Sequence, residues 1–223
     1  MGVSKDQWCP YLPLAATSEE YFQALSRSKR SRLKRAKKAV ESVGCTYTLA
    51  DRPETLGPAL EELFQLHTKR WAARGLSGNL HDPAVRAFHL ELSRTLGTQG
   101  TMRIYSLVHA GKTVACDYVL QRGQTVYFYQ TAFDPDPVWE EYHPGYTLLA
   151  HCIEDQVGRG AREFDFLRGR EEYKERWTSS VRVTQRLTVV PNEHIPALLR
   201  YRGEQAFRWA KRRIKALITR GKR

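Results

Sequence analysis

The chain has 223 residues, 41% hydrophobic and 27% charged, which suits one large domain with a real core, and Lys5, Asp6, Pro10 and Pro13 break up any signal-peptide core, so a cytoplasmic protein is expected. No run approaches the ~18 apolar residues of a membrane span, the four cysteines form no CxxC pair and the seven histidines no HExxH, which argues against a span, a disulfide framework and a metal site. Lys and Arg total 36 against 24 Asp and Glu, and the excess sits in residues 27–38 and 200–223, so an anionic partner is expected at the ends of the chain.

Residues 8–14 (WCPYLPL) read as an extended segment punctuated by proline. Thr17 or Ser18, with Glu20 behind, starts a helix predicted to run through the basic stretch to about Val40, and Gly44 ends it. Residues 46–50 read as a strand. Pro53 then opens a helix with Leu60, Leu63, Phe64, His67 and Trp71 on one face, broken at Gly75 and Gly78. Asp82-Pro83 caps a further helix whose predicted stripe is Val85, Phe88, Leu92 and Leu96. Three strands follow at 102–109, 112–121 and 124–133, joined by hairpin turns at His109–Lys112 and Arg122-Gly123. A loop leads to a helix from Gly145 carrying Leu148, Leu149, Ile153 and Val157. After it come a buried strand at Phe164–Leu167, a short helix at Glu171–Trp177, a strand at 181–190 and a basic helix from Pro196. That helix places Leu199, Phe207, Ala210, Ile214 and Leu217 on one side, for packing on the domain, docking a partner, or lying on an anionic membrane, with packing favoured.

The stretch HPGYTLLAHCIEDQVGRGAREFDFLRGREEYKERW, the run Leu66 to Trp71 and the CPYLPL segment at 9–14 carry a resemblance. They resemble the CelD/BcsL-type branch of the GNAT acyltransferase superfamily, with the peptidoglycan aminoacyl-transferases as distant kin. The resemblance implies an α/β (α+β) fold, a mixed, mostly antiparallel sheet flanked by helices. It implies an extended segment and basic linker helix at 1–45, an acyltransferase domain at 46–195 and a basic amphipathic helix at 196–223. Members usually carry two such halves, and this sequence matches the second half with its linker. Self-association, or a partner in place of the first half, is therefore expected. The branch implies a coenzyme A thioester as acyl donor, with no metal, and an amine or hydroxyl acceptor, with a saccharide-linked one among those expected, in exopolysaccharide or cell-envelope metabolism. Two alternatives stay open: tRNA-dependent aminoacyl transfer to a cell-wall precursor, and a non-catalytic half that binds a partner.

Acyl transfer needs a phosphate cradle, a donor for the thioester oxygen, a base and an acid. His143, Gly145 and Tyr146 are the cradle candidates, because a helix N-terminus after Pro144 offers free N–H groups; a plain loop-to-helix connection is the alternative. The resemblance adds Arg168 and Gln130 to the coenzyme A contacts. Asp165, between two phenylalanines, needs a partner for its charge, and Arg168 and Lys174 are nearby. It serves either as a tuned acid–base group, with Glu171 and Lys174 beside it, or as a structural ion pair. By the resemblance, Tyr173 protonates the leaving thiolate. Arg70, Trp71, Tyr129 and Trp177 are expected to contact the acceptor, against helix core and surface charge as the alternative for Arg70 and Trp71. The run at 27–38 lacks interleaved stacking aromatics, so nucleic acid is not the expected partner.

Overall fold

The alternation of apolar residues over 102–133 closes a three-strand antiparallel meander, and everything else is arranged on it. In the computed structural model, which describes residues 2–188 and 195–220, the elements are β1 (Gly2–Pro13), α1 (Ser18–Ala24), α2 (Arg27–Ser42), β2 (Thr46–Ala50), α3 (Pro53–Ala72), α4 (Pro83–Thr98), β3 (Met102–His109), β4 (Lys112–Arg122) and β5 (Thr125–Phe133). They continue with α5 (Pro144–Gly158), β6 (Glu163–Asp165), α6 (Glu172–Glu175), β7 (Val181–Thr188) and α7 (Ile195–Arg220). The sheet order is β2-β3-β4-β5-β6-β1-β7, antiparallel at each pairing described except the parallel β5–β6 pair.

Two compact units divide the chain: Trp8–Arg182, and Met1–Gln7 with Val183–Arg223. The first holds the meander and two apolar layers. On one face α5, with α1 and α2, buries Leu148, Ile153, Leu33 and Val40 against Leu107, Val119 and Phe128. On the other, α3 buries Leu56, Leu60, Leu63 and Phe64 against Ile104, Cys116 and Tyr118. Each such leucine contributes about 2 kcal/mol by leaving water, which fixes both helices to the sheet. In the second unit the Thr184 hydroxyl donates to the Gln7 carbonyl at 3.4 Å, and α7 is one helix with Leu199 and Phe207 exposed; the side chains of Ile214 and Leu217 lie outside the described ones. No helix among the described residues is long and apolar enough to cross a membrane.

Three expectations change. The helix predicted from Thr17 to Val40 is two helices, because Ser26 caps α2: its hydroxyl accepts from the Lys29 N–H, and Leu25 turns extended. Local capping outcompetes continuation there. The extended segment at 8–14 belongs, as far as Pro13, to a longer strand, β1, which pairs Tyr11, Leu12 and Pro13 with β6. In α4 the buried residues are His89, Ser93 and Gly97, not Phe88, which is 59% exposed. The small residues take the line of closest approach to α3: a Cβ on Gly97 would come within 2.9 Å of Leu56. Size, not hydrophobicity alone, sets the contact face.

Candidate active site

The parallel ladder between β5 and β6 lasts three residues, Thr125–Tyr127 against Glu163–Asp165, after which the strands part. The cause is visible in the β4–β5 register. Tyr118 pairs with Gln130 and Val119 with Phe128, so Tyr129 is an extra residue in β5. A bulge bends its strand and re-aims the side chains beyond it. Beyond Tyr129 the alternation is reset: Thr131 and Phe133 follow Phe128 onto the α5 face, while Gln130 and Ala132 turn to the α3 face.

A cavity of about 520 Å³ lies against this diverging end of β5. Its floor is Phe128, Thr131 and Phe133. The start of α5 forms one wall, with His143 to Tyr146 on it, and Tyr173, Arg176 and Trp177 form another. His143 precedes the helix in a left-handed conformation (φ 46°), and Pro144 occupies the first turn. The N–H groups of Gly145 and Tyr146 therefore have no intrahelical acceptor. Three arginines, Arg70, Arg74 and Arg176, line the same space. Arg70 stacks on Phe133, 4.0 Å from its centroid, and Tyr146 packs on Trp177 with centroids 5.1 Å apart. Asp134, Asp136 and Glu140 also line the cavity, Asp134 paired with Lys69, so its charge is mixed; the free N–H groups of α5 and the aromatic walls are what suit an anion joined to an apolar or extended chain.

Behind the floor sits a group that the sequence reading passed over. Asp117, on β4 opposite Thr131, is 1% exposed, and neither of its carboxylate oxygens has a hydrogen bond of ordinary geometry. Burial pushes its pKa up to about 7; the Thr131 side chain and the Arg70 charge act in the opposite direction. Tyr173 is also raised, first by burial and then by Glu171 and Asp117, so its phenol is neutral and can donate a proton. The arrangement pairs a carboxylate that titrates near neutrality with a protonated phenol across one cavity wall.

A family model described as "Acetyltransferase (GNAT) domain" matches residues 27–175. The chain belongs to the GNAT acetyltransferase family. Among solved structures, this GNAT chain is similar to FemX (TM-score 0.60, 10% identity, 79% of this chain and 59% of that one). It is similar to L-PGS from Bacillus licheniformis (0.53, 14%, 82% and 61%) and to the C-terminal domain of a putative lysylphosphatidylglycerol synthetase from Agrobacterium fabrum (0.50, 13%, 79% and 54%). The chain spans about three fifths or less of those structures' length. No curated protein matches.

In this GNAT domain the residues predicted from sequence separate into two groups. Arg70, His143, Gly145, Tyr146, Tyr173 and Trp177 come together on the cavity. Asp165, Glu171, Lys174, Gln130, Arg168, Trp71 and Tyr129 do not line it. Asp165 accepts from the Leu167 N–H at 2.7 Å and pairs with Arg182 at 3.4 Å, rather than with Arg168 or Lys174. Leu167 is left-handed (φ 56°), and that turn carries the cations following β6 away from Asp165. Lys174 is buried, pairing with Glu171 at 2.8 Å and donating to the Arg168 carbonyl at 3.0 Å, which ties α6 to the turn before it; Arg168 itself is exposed. Gln130 is turned by the bulge toward α3. Tyr129 reaches His89 at 3.2 Å, and Tyr118 approaches the other ring nitrogen at 3.5 Å. Trp71 packs against His67 and the backbone of Gly78, where a Cβ would lie 2.6 Å from its ring; with φ at +70° as well, that position requires glycine. Among the described residues, no group of three or more His, Cys, Asp or Glu is placed to hold a metal ion.

Proposed function

We propose that this GNAT chain is an N- or O-acyltransferase that takes its acyl group from a coenzyme A thioester. The observation that carries the reading is the convergence of a helix N-terminus, three arginines and a neutral phenol on one cavity beside the parted strands. Gly145 and Tyr146 N–H groups, with Arg74 and Arg176, hold the pyrophosphate. On its β6 side, β5 beyond Tyr127 has no strand partner among the described residues, and this edge offers backbone N–H groups to the thioester oxygen. The acceptor's nitrogen or oxygen attacks the carbonyl carbon; a C–N or C–O bond forms and the C–S bond breaks. The departing thiolate takes its proton from Tyr173. The acceptor's proton passes by way of the Thr131 hydroxyl to Asp117. Arg70 and Trp177 orient the acceptor. The likeness to the CelD/BcsL branch supports a saccharide-linked amine or hydroxyl from envelope or exopolysaccharide metabolism. Asp165, Glu171 and Lys174 act by holding the turn that presents Tyr173. Calorimetric titration with acetyl-coenzyme A tests the reading: binding is expected, and a folded chain that ignores the thioester sinks it.

A second reading is tRNA-dependent aminoacyl transfer. The net charge of +12 and the largely exposed basic face of α2 favour it, as does the distant kinship with the peptidoglycan aminoacyl-transferases. Filter binding of aminoacyl-tRNA, with no response to coenzyme A, would select it.

A further inference from the structure

The cavity chemistry leaves α7 without a task. Residues 195–220 contain eight Lys or Arg and a single acidic residue, Glu204, a net of seven positive charges (eight minus one) on one helix. Along the same helix Ile195, Leu199, Ala206 and Ala210 recur at spacings of four, seven and four residues on one side of a 3.6-residue period, with Arg202 in the gap between Leu199 and Ala206 and Phe207 flanking the row. Ile195 is 65% exposed, Leu199 64% and Phe207 70%. A helix meant for water does not leave Ile195, Leu199 and Phe207 exposed together, and a helix meant for a protein core does not carry this charge. Both features together describe a surface that has an apolar boundary and phosphates at the same depth.

We propose that α7 lies in the plane of an anionic phospholipid surface, with the Ile195–Leu199–Phe207 stripe at the acyl-chain boundary and the lysines and arginines at the phosphates. The helix has too many charges to span the bilayer, so it adsorbs along it. Nucleic acid would satisfy the cations but gives aliphatic Ile195 and Leu199 nothing to enter. A second copy of α7 would bury the stripe but bring seven like charges against seven. An anionic bilayer answers both requirements. This adsorption is independent of the acyl donor, and it would hold the chain near acceptors carried on lipid.

Co-sedimentation of the full chain tests this, using vesicles of phosphatidylcholine alone or with about 30% phosphatidylglycerol. Expected is at least about tenfold stronger binding to the anionic vesicles, weakened by salt through screening. The double variant Leu199→Glu/Phe207→Glu should lose that binding while keeping the wild-type melting temperature. Equal binding to both vesicle types overturns the proposal, as does no binding to either. A double variant that binds as well as wild type overturns the inserted stripe. So does a wild-type dimer in sedimentation velocity that the double variant abolishes while vesicles are ignored. Tight binding of tRNA without vesicle binding would assign α7 to nucleic acid instead.

Discussion

The guanidinium of Arg70 lies 4.0 Å from the centroid of the Phe133 ring, with Nη1 3.4 Å from the Thr131 carbonyl. The last turn of α3 is thereby fastened to the last turns of β5, and a cation is held at the cavity wall by a flat contact. Lysine cannot reproduce the stack or the fork. Arg70→Lys should therefore weaken acetyl-coenzyme A or acceptor binding about tenfold, ~1.4 kcal/mol, with the melting temperature almost unchanged. Calorimetry and a thermal scan of the same sample check both halves; unaltered affinity for donor and acceptor alike would remove Arg70 from the site.

Gly145 approaches the same ring. A Cβ built there falls 2.9 Å from Phe133 Cδ1, and the backbone is not left-handed, so space rather than strain excludes a side chain. Gly145→Ala should cost about 1–2 kcal/mol by displacing Phe133. In a Phe133→Leu background the cost should shrink, since the smaller side chain yields. The coupling measured by a double-mutant cycle in urea is the readout, and strict additivity would show that the two residues do not press on each other.

Asp117 predicts a pH dependence with a definite sign. Its folded pKa of about 7 lies above the ordinary 3.8, so the folded state binds the extra proton between those values. As far as this group is concerned, stability is highest and flat below the unfolded pKa of 3.8, falls as pH rises between 3.8 and about 7, and is flat again above that. Asp117→Asn should remove the slope and make the chain more stable at pH 8, on the order of a few kcal/mol. Urea midpoints at pH 5 and 8 decide it: parallel behaviour of the two proteins would mean that the carboxyl is not held protonated by burial.

Tyr173→Phe preserves shape and removes the proton donor. If acyl transfer is the activity, turnover should drop by ~10²-fold with thioester affinity within about twofold of wild type. Full turnover in the variant would transfer the acid role to another group.

Asp165→Asn addresses the turn instead of the chemistry. It weakens the pair with Arg182 and the bond to the Leu167 N–H, so a loss of about 1–2 kcal/mol is expected. Acetyl-coenzyme A affinity should follow only as far as the turn moves Tyr173. A large loss of turnover in a variant as stable as wild type would restore Asp165 to the reaction.

Much of this was legible in the sequence. Periodicity located α3, the meander and α5, because in each the buried side repeats cleanly. The Pro144-Gly145 start of α5 was legible because helix starts have their own chemistry. What local pattern could not supply was register. The resemblance puts Gln130 at coenzyme A, and strict alternation, which sets it on the face of Phe128, gives no warning; the bulge at Tyr129 shows only in the pairing with β4. Asp117 escaped notice for a related reason: inside KTVACDYVLQR it reads as one polar residue in a strand, and nothing local says that it is sealed behind Thr131. A lone acidic residue in an otherwise apolar central strand was the available signal. The partner of Asp165 was missed because Arg182 is 17 residues away and arrives through the fold.

The extra residue in β5 also bears on how such a cavity can change over generations. Substitutions in the strand alter the lining one side chain at a time. Loss of the single codon for Tyr129 would restore the two-residue repeat and yet leave Thr131 and Phe133 on the face of Phe128, with Gln130 and Ala132 opposite, because the register with β4 on either side is already that of an unbulged strand. The cavity would keep its hydroxyl and its aromatic ring, Asp117 its hydroxyl neighbour and Arg70 its platform, while the bend in β5 and the Tyr129–His89 contact would go. An indel at this one position thus alters the course of the strand while leaving the chemistry of the lining alone.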